Sequence, residues 1–329
     1  MSGPILVTGA SGFIGRHLVS ALLARGDRVR VLVRRPDAAS ELAALGAEAM
    51  VGNMLDPAAV QRAANGAGGV FHLAGRLFAA GSEPEEYARL HVEATVALLG
   101  ACVATPAPPR FFLLCSTTGV HGPTGATPAR EDDRGHPQNA YEVTKAQAEI
   151  AAREIAGRSQ LPLVVARPGL VYGPGDLHLL GWFRSIRAGY YRVIGPGRNH
   201  LHPIYIDDAV RALVRCVPAA TPAGRAYHLV GSHAVTMREL SDAIGHAIGR
   251  RVPSTHVPAP LAFAVGAALE ALPVPRRLLP LTRSRVRFML QNREYDGTRA
   301  REELGFVPTV ELADGLARTV AWYREQGLL

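Results

Sequence analysis

Short apolar runs alternate along this chain with longer stretches in which apolar residues recur every three or four positions. Regular alternation of this kind is typical of a parallel sheet with helices on both faces. The longest periodic stretches predict helices at Glu85–Val103 and Ala140–Ile155. The apolar runs predict strands at Ile5–Thr8, Val29–Val33, Ala47–Val51, Gly69–Leu73, Phe111–Cys115, Pro162–Arg167 and Ala226–Val230. We therefore predict an α/β fold with a doubly wound parallel sheet.

Three glycines spaced three residues apart join the first predicted strand to the helix after it. Such glycines allow a tight turn, close approach of the backbone to a phosphate, and close packing of helix on strand. The helix start offers unpaired N–H groups and the positive end of its dipole, which favour a pyrophosphate. An ordinary turn that binds nothing is the alternative. The dinucleotide site that we predict here comprises Gly9, Ser11, Gly12, Phe13, Ile14 and Gly15.

The end of the second predicted strand indicates which dinucleotide is bound. An acidic residue there would hold the ribose 2′-hydroxyl, whereas an arginine accommodates a 2′-phosphate. The strand is followed by Arg34 and Arg35, and the first acidic residue is Asp37. We interpret Arg34, supported by Arg35, as selecting NADP. If these arginines are only surface charges, NAD is the alternative.

A tyrosine and a lysine four residues apart, Tyr141 and Lys145, share one face of the predicted helix. A nearby cation favours the phenolate, so Tyr141 is a candidate acid/base near neutral pH, while Lys145 can also hydrogen-bond a nicotinamide ribose. Ser116 and Thr117 follow the fifth predicted strand, and a hydroxyl there points into the ligand crevice of an open α/β sheet. These four residues are the predicted catalytic set.

Composition narrows the classes of function. The chain has 329 residues, a mean hydropathy of +0.08 and a net charge of +8. The charge suits an anionic cofactor or substrate, and without a lysine-rich tail we predict no nucleic-acid partner. Three cysteines without metal-ligand or disulfide spacing indicate no metal site and a reducing, cytoplasmic location. No signal peptide and no membrane span are expected, because no apolar stretch reaches about 18 residues.

Further motifs accompany these residues from residue 4 to about residue 323. Together they resemble the extended short-chain dehydrogenases/reductases, the NAD(P)-dependent epimerase/dehydratase superfamily, and the resemblance covers nearly the whole chain. It implies a Rossmann fold and a nicotinamide cofactor. The motifs that carry the resemblance are Thr8–Gly15, Val70–Gly75, Ser116–Gly122, Tyr141–Lys145, Arg167–Pro174, His202–Asp208, Tyr227–Gly231 and Tyr295–Trp322.

The resemblance also implies roles for individual residues. Tyr141 would be the catalytic acid/base, Lys145 its cationic partner and ribose anchor, and Thr117 the substrate-polarising hydroxyl. Ser116 would lie beside Thr117. Further cofactor contacts are implied beside the adenine, behind the cofactor and at the nicotinamide, at Asn53, Met54, Leu73, Ala74, Gly75, Pro168 and Val171.

Two positions depart from the family pattern. The family usually has an asparagine where this chain has His91, so any proton relay or helix distortion that depends on the asparagine is in question. A histidine can itself shuttle protons, and a purely structural substitution is the alternative. His121 replaces a common tyrosine, which we expect to alter the wall on the substrate side.

The motifs favour one reaction and disfavour another. Dehydratases of this superfamily that form 4-keto-6-deoxy sugars carry Asp-Glu where this chain has Thr118-Gly119, so we disfavour that reaction. An NADP(H)-linked alcohol/ketone oxidoreductase resembling 3β-hydroxysteroid dehydrogenases and dihydroflavonol reductases is favoured by Arg34. The apolar stretch Pro258–Leu272 supports it, because it could roof an apolar pocket or make peripheral contact with a membrane.

Two other functions stay open. A nucleotide-sugar epimerase with tightly bound NAD is the main alternative, and a dinucleotide-binding sensor without chemistry is disfavoured by the intact Tyr/Lys/Thr set. The epimerase would use residues that could grip a diphosphate, namely Gly195–Asn199, Arg276, Arg277, Arg283, Arg285 and Arg287. A solvated basic face is an equally good explanation of these arginines.

We expect two lobes with a small-molecule substrate in the cleft between them. Residues 1–170 and 201–232 would form the dinucleotide-binding Rossmann domain. Residues 171–200 and 233–329 would form a smaller C-terminal substrate-binding lobe. The resemblance further implies a homodimer built on the helices Glu85–Val103 and Ala140–Ile155.

Overall fold

A seven-stranded parallel sheet forms the centre of the fold in the computed structural model, which describes residues 3–78, 82–217, 224–275, 279 and 281–329. The strands lie in the order β7-β6-β5-β4-β1-β2-β3, so the order reverses between β1 and β4. A reversal of this kind creates a ligand crevice at the carboxyl ends of the strands. The strands are β1 (Ile5–Thr8), β2 (Val29–Val33), β3 (Glu48–Val51), β4 (Gly69–His72), β5 (Phe112–Cys115), β6 (Leu163–Pro168) and β7 (Arg225–Leu229).

Helices cover both faces of this sheet, and others build a region beyond the carboxyl ends of the strands. The first helices are α1 (Phe13–Ala24), α2 (Pro36–Ala44), α3 (Pro57–Ala64), α4 (Pro84–Ala88), α5 (Ala94–Val103), α6 (Ala140–Ser159) and α7 (Leu180–Ala188). The later ones are α8 (Ile206–Arg215), α9 (Met237–Ile248), α10 (Ala259–Glu270), α11 (Arg283–Leu290), α12 (Thr298–Leu304) and α13 (Leu312–Glu325). No helix in the described ranges is long and apolar enough to cross a bilayer.

Three small two-stranded sheets lie outside the central sheet in the described part of the chain. Leu170–Tyr172 pairs in parallel with Pro203–Tyr205, directly after β6. His200–Leu201 pairs antiparallel with Val235–Thr236, and Val193–Ile194 pairs in parallel with His256–Val257. These pairs join the segments around residues 170–205 to the chain after residue 230.

The two largest clusters of buried apolar side chains among the described residues lie one on each face of the sheet. Successive side chains of a strand point to opposite faces, so Ile5 and Val7 pack in one core and Leu6 in the other. The first core also contains Leu18 of α1, and the second contains Leu98 of α5. Because both faces are covered, all four positions of β1 are buried, which explains the continuous apolar runs in the sequence.

The predicted elements agree with the structure, with one internal difference. The strands at Ile5–Thr8 and Val29–Val33 are as predicted, and the other five differ by one residue at one or both ends. The helix predicted at Ala140–Ile155 continues to Ser159. The helix predicted at Glu85–Val103 is broken by a π-helical segment, Arg89–Glu93, between α4 and α5. The doubly wound parallel α/β fold is confirmed.

Candidate active site

The turn between β1 and α1 accepts only glycine at its critical positions. Gly9 has a φ of +73°, and a Cβ atom there would lie 2.6 Å from the carbonyl carbon of Leu73. A Cβ atom on Gly15 would lie 2.1 Å from the oxygen of Gly9, so helix and turn are in direct contact. Gly12 precedes α1 and offers no side-chain cap to the first N–H groups of the helix. This cradle fits the pyrophosphate of a dinucleotide.

The chain after β4 lies beside this turn, held there by buried hydrogen bonds. Thr8 Oγ1 lies 2.7 Å from His72 Nδ1 and accepts the N–H of Ala74 at 3.3 Å. His72 Nε2 lies 2.9 Å from Thr95 Oγ1, which anchors the strand end to α5. His72 lies inside the motif Val70–Gly75, but no role was predicted for it. These bonds fix the backbone at Leu73, Ala74 and Gly75 next to the glycine turn.

Three of the four predicted catalytic residues come together at the start of α6. The side chain of Thr117 lies close enough to Tyr141 to lower the pKa of the phenol, and Thr117 Oγ1 accepts the N–H of Gly119 at 3.1 Å. Lys145 Nζ donates to the carbonyl oxygen of Cys115 at 2.9 Å. A Cβ atom on Gly75 would lie 3.3 Å from Lys145 Nζ, so the chain after β4 passes close to the buried ammonium group.

Ser116 lies on the other side of the same strand end. Its side chain is buried on the side of Glu149, whose carboxylate is held by Arg167 in two bonds of 2.9 and 2.6 Å. Thr117 has an extended backbone, and adjacent residues in an extended chain point in opposite directions. The structure therefore brings Thr117, and not Ser116, to Tyr141.

The residues predicted near the adenine differ in their exposure to solvent. Arg34 and Arg35 are exposed after β2, and Arg35 lies 3.5 Å from the carboxylate of Asp37. Arg34 takes part in none of the ion pairs between described residues. Asn53 is exposed after β3, whereas Met54 is only 7% exposed and packs in the hydrophobic core.

The residues predicted near the nicotinamide lie at the end of β6. Pro168 is the last residue of that strand and is buried. Val171 lies in the short strand that follows and pairs with Ile204. Both therefore lie at the same edge of the sheet as Thr117.

A model of the NAD-dependent epimerase/dehydratase family matches residues 5–229. The chain belongs to this family. It is 32% identical to the 2-alkyl-3-oxoalkanoate reductase of Stenotrophomonas maltophilia (strain K279a), over 96% of this chain and 98% of that protein. It is 28% identical to the 3beta-hydroxysteroid-dehydrogenase/decarboxylase isoform 1 of Arabidopsis thaliana, over 96% and 78%.

Solved structures agree with this assignment. The structure of MoeE5 in complex with UDP-glucuronic acid and NAD is 27% identical, with a TM-score of 0.77, covering 98% of this chain and 100% of that one. The chain is therefore an NAD(P)-dependent oxidoreductase of the extended short-chain dehydrogenase/reductase type, and the sequence-based assignment is confirmed.

In this family member, burial dominates the electrostatics of the tyrosine and lysine. Burial raises the pKa of Tyr141, and Cys115 and Glu142 raise it further, while the hydrogen bond from Thr117 lowers it. Burial also lowers the pKa of Lys145. The expectation that a nearby cation makes Tyr141 an acid/base near neutral pH is wrong for the chain by itself, because desolvation by burial raises the pKa of the phenol.

His91, the first departure from the family pattern, cross-links three segments. Its Nδ1 lies 2.8 Å from Thr144 Oγ1 on α6. Its Nε2 lies 3.1 Å from both the backbone nitrogen and the backbone oxygen of Arg76. Its ring meets the ring of Tyr141 edge-on, with centroids 5.5 Å apart. Burial and the nearby Lys145 lower the pKa of His91 to about 3, so the imidazole is neutral. The helix distortion is present, since His91 lies inside the π-helical segment.

His121, the second departure, lies in a buried polar cluster and not on the expected substrate wall. Its Nε2 is 2.9 Å from Nε2 of His228 and 3.1 Å from a guanidinium nitrogen of Arg167. His228 in turn bonds through its backbone N–H to the carboxylate of Glu131 at 3.0 Å. The side chain of His121 is 5% exposed, so it serves to join β7 to the chain after β5.

A buried ion pair that the sequence did not predict lies next to Tyr141. Glu142 Oε1 and a guanidinium nitrogen of Arg293 are 2.8 Å apart, with less than a tenth of either side chain exposed. The backbone N–H of Arg293 donates to His200 at 2.8 Å, and its guanidinium lies over the ring of Phe288. The pair therefore fastens the chain before α12 to the start of α6.

The arginines considered for a diphosphate do not form one described cluster. Arg276 and Arg277 lie outside the described residues. Arg283 is ion-paired with Glu270 at 2.8 Å, and Arg285 donates to the oxygen of Leu279 at 2.5 Å. Arg287 is exposed on α11. At least one of the described arginines is thus engaged by an acidic partner.

Proposed function

We propose that this protein transfers hydride between NADP(H) and a secondary alcohol or ketone with an apolar body. The observation that carries the proposal is the contact between Thr117 and Tyr141, with Lys145 one helical turn further along α6. These groups lie at the carboxyl ends of the strands, at the same edge as the glycine turn. A polar acid/base next to a dinucleotide cradle is the arrangement that carbonyl reduction requires.

In ketone reduction, the residues divide the work. The nicotinamide, when bound, supplies the hydride that adds to the carbonyl carbon. Tyr141 donates its phenolic proton to the carbonyl oxygen, which leaves an alcohol and a phenolate. Thr117, which lies beside Tyr141, orients that oxygen. Lys145 holds positive charge on the same helix face and would bind the ribose, so it stabilises the phenolate as it forms.

The dinucleotide would be held by residues in three places. The glycine turn and the start of α1 would hold the pyrophosphate, and Arg34 the 2′-phosphate of NADP. Support for Arg34 comes from its exposure at the carboxyl end of β2 and from the lack of an acidic partner among described residues. The remaining contacts that we propose are Asn53, Met54, Leu73, Ala74, Gly75, Pro168 and Val171, of which the buried Met54 would act by packing.

The substrate would lie between the central sheet and a smaller lobe formed by residues 171–200 and 233–329. An apolar substrate body is supported by relatives that are named for alkyl and steroid compounds. The apolar helix α10 lies in the same part of the chain. We also propose a homodimer through α5 and α6, because Val96, Val103 and Ile150 are exposed apolar residues on these helices.

Replacing Tyr141 by Phe tests the assignment of the acid/base. We expect Tyr141→Phe to lower kcat by roughly 10²–10⁴ on a ketone substrate and to leave NADP affinity nearly unchanged. Tyr190→Phe is a matched control, because Tyr190 is 71% exposed. Activity near that of the wild type in Tyr141→Phe would remove Tyr141 from the mechanism.

The nucleotide released on denaturing the purified protein separates reductase from epimerase. A reductase exchanges its cofactor in every turnover, so we expect little retained nucleotide and steady NADPH oxidation with long-chain or polycyclic ketones. Stoichiometric retained NAD, with activity on a sugar nucleotide and none on ketones, would establish the epimerase instead.

A further inference from the structure

Helix α10 exposes a face that is entirely apolar. Its inner side is formed by Ala262 and Gly266, and a Cβ atom on Gly266 would lie 3.1 Å from the backbone nitrogen of Arg283. Every exposed position between residues 260 and 275 is apolar. These positions are Pro260, Leu261, Ala264, Val265, Ala267, Ala268, Ala271, Leu272, Pro273, Val274 and Pro275. A contiguous apolar face of this kind on a protein surface marks an interaction site.

The one charged residue of this helix is kept off the exposed face. Glu270 accepts the N–H of Arg283 at 2.9 Å and its side-chain Nε at 2.8 Å. The carboxylate is thereby neutralised, with only 9% of the Glu270 side chain exposed. The outer surface of α10 consequently carries no charge to keep it in water.

The neighbouring helix α11 supplies positive charge beside this face. Arg283 has 57% of its side chain exposed, and Arg287 is exposed on the same helix. The sequence of α11, Arg-Ser-Arg-Val-Arg-Phe-Met-Leu, contains no acidic residue. Phe288, also on α11, adds a partly exposed aromatic ring. The apolar face is therefore bordered by cations.

We propose that α10 docks on the surface of an anionic lipid bilayer, with its apolar face at the headgroup boundary and Arg287 beside lipid phosphates. A helix of 12 residues is about 18 Å long, too short to span a bilayer but suited to lie in its surface. Charge complementarity favours this occupant over a second copy of the chain. An isologous dimer would bring two arginine-bordered patches together, and like charges would oppose it. This inference goes beyond the proposed reaction and does not depend on it.

Vesicle sedimentation of the full-length protein tests the docking. We expect binding to vesicles of phosphatidylcholine mixed with phosphatidylglycerol, and weaker binding to phosphatidylcholine alone. The double substitution Leu261→Ser/Val265→Ser should lower the partition coefficient at least about tenfold, because two exposed apolar side chains no longer enter the interface. Arg287→Gln should lower binding to the anionic vesicles about fivefold and reduce its dependence on salt.

A control on another surface keeps the test specific. Leu45 is 54% exposed and follows α2, and we expect Leu45→Ser to bind vesicles as the wild type does. Circular dichroism of each variant checks that the fold is retained. The proposal would be overturned if the wild type did not bind vesicles, or if the α10 double variant bound them as strongly as the wild type does. A wild-type dimer that the α10 substitutions dissociate would also overturn it, because the face would then join two copies.

Discussion

Acidification from about pH 7.5 to about pH 5.5 should strongly destabilise this protein, because it buries several imidazoles in their neutral form. Desolvation by burial is the largest cause in each case, and nearby cations such as Lys145 and Arg167 add to it. The pKa is about 3 for His72 and His91, about 4 for His121 and His202, and well below its usual value for His228.

The magnitude follows from proton linkage. In the unfolded chain each histidine has a pKa of about 6.5, so near pH 5.5 the unfolded state holds about 0.9 proton per histidine that the folded state does not. The pKa of each of these histidines is lower in the folded state than in the unfolded chain. Their contribution to the free energy of unfolding is therefore fully present above pH 6.5 and is lost as the pH falls towards 3–4. The loss by pH 5.5 is about 1.3 kcal/mol per histidine, or about 5 kcal/mol for the four with a stated pKa. A typical domain has only about 5–15 kcal/mol in total.

Guanidinium denaturation at a series of pH values measures this loss. We expect the free energy of unfolding to fall by about 5 kcal/mol per pH unit near pH 5.5. His202→Gln should reduce that slope by about 1.2 kcal/mol per pH unit, whereas His246→Gln, at an exposed position, should leave it unchanged. A wild-type slope below about 2 kcal/mol per pH unit would refute the assignment of these histidines as buried and neutral.

Three further predictions concern the proposed site. In nucleotide titrations, Arg34→Ala should weaken NADP binding by roughly ten- to a hundredfold and leave NAD binding almost unchanged. Arg35→Ala should have a smaller effect. Equal affinity of the wild type for both nucleotides would contradict this assignment. Thr117→Ala should lower kcat more than Ser116→Ala, and the reverse order in steady-state assays would place the strand one residue out of register. His91→Asn should leave the pH–rate profile unchanged, and His91→Ala should lower the melting temperature. A shifted pH–rate profile in His91→Asn would instead show that His91 serves in a proton relay.

The sequence predicted those parts of the fold that depend on local pattern. A strand buried on both faces reads as a continuous apolar run, so the central sheet could be located to within one or two residues. The glycine turn was predictable because a Cβ atom at Gly9 or Gly15 would collide with the backbone. Tyr141 and Lys145 were predictable because helical spacing alone places them on one face.

Features that depend on distant contacts were not predictable. The π-helical segment does not interrupt the helical spacing of the apolar residues, so the sequence gives no sign of it. The buried contact of His91 is made with Thr144, which is 53 residues away. The ion pair between Glu142 and Arg293 joins residues 151 positions apart, and neither stands out in the sequence. Met54 was assigned to the cofactor from the family motif, whereas its burial follows from packing against the second core.

The ion pair between Glu149 and Arg167 makes the number of residues between positions 141 and 149 important for the geometry of the site. Tyr141, Lys145 and Glu149 are spaced four residues apart along α6, and Arg167 on β6 fixes the last of them. Adding or deleting one residue between 141 and 149 would rotate the phenol about 100° around the helix axis relative to that anchor. Insertions and deletions within these turns are therefore incompatible with activity, and homologues should keep this interval constant while their loops vary in length.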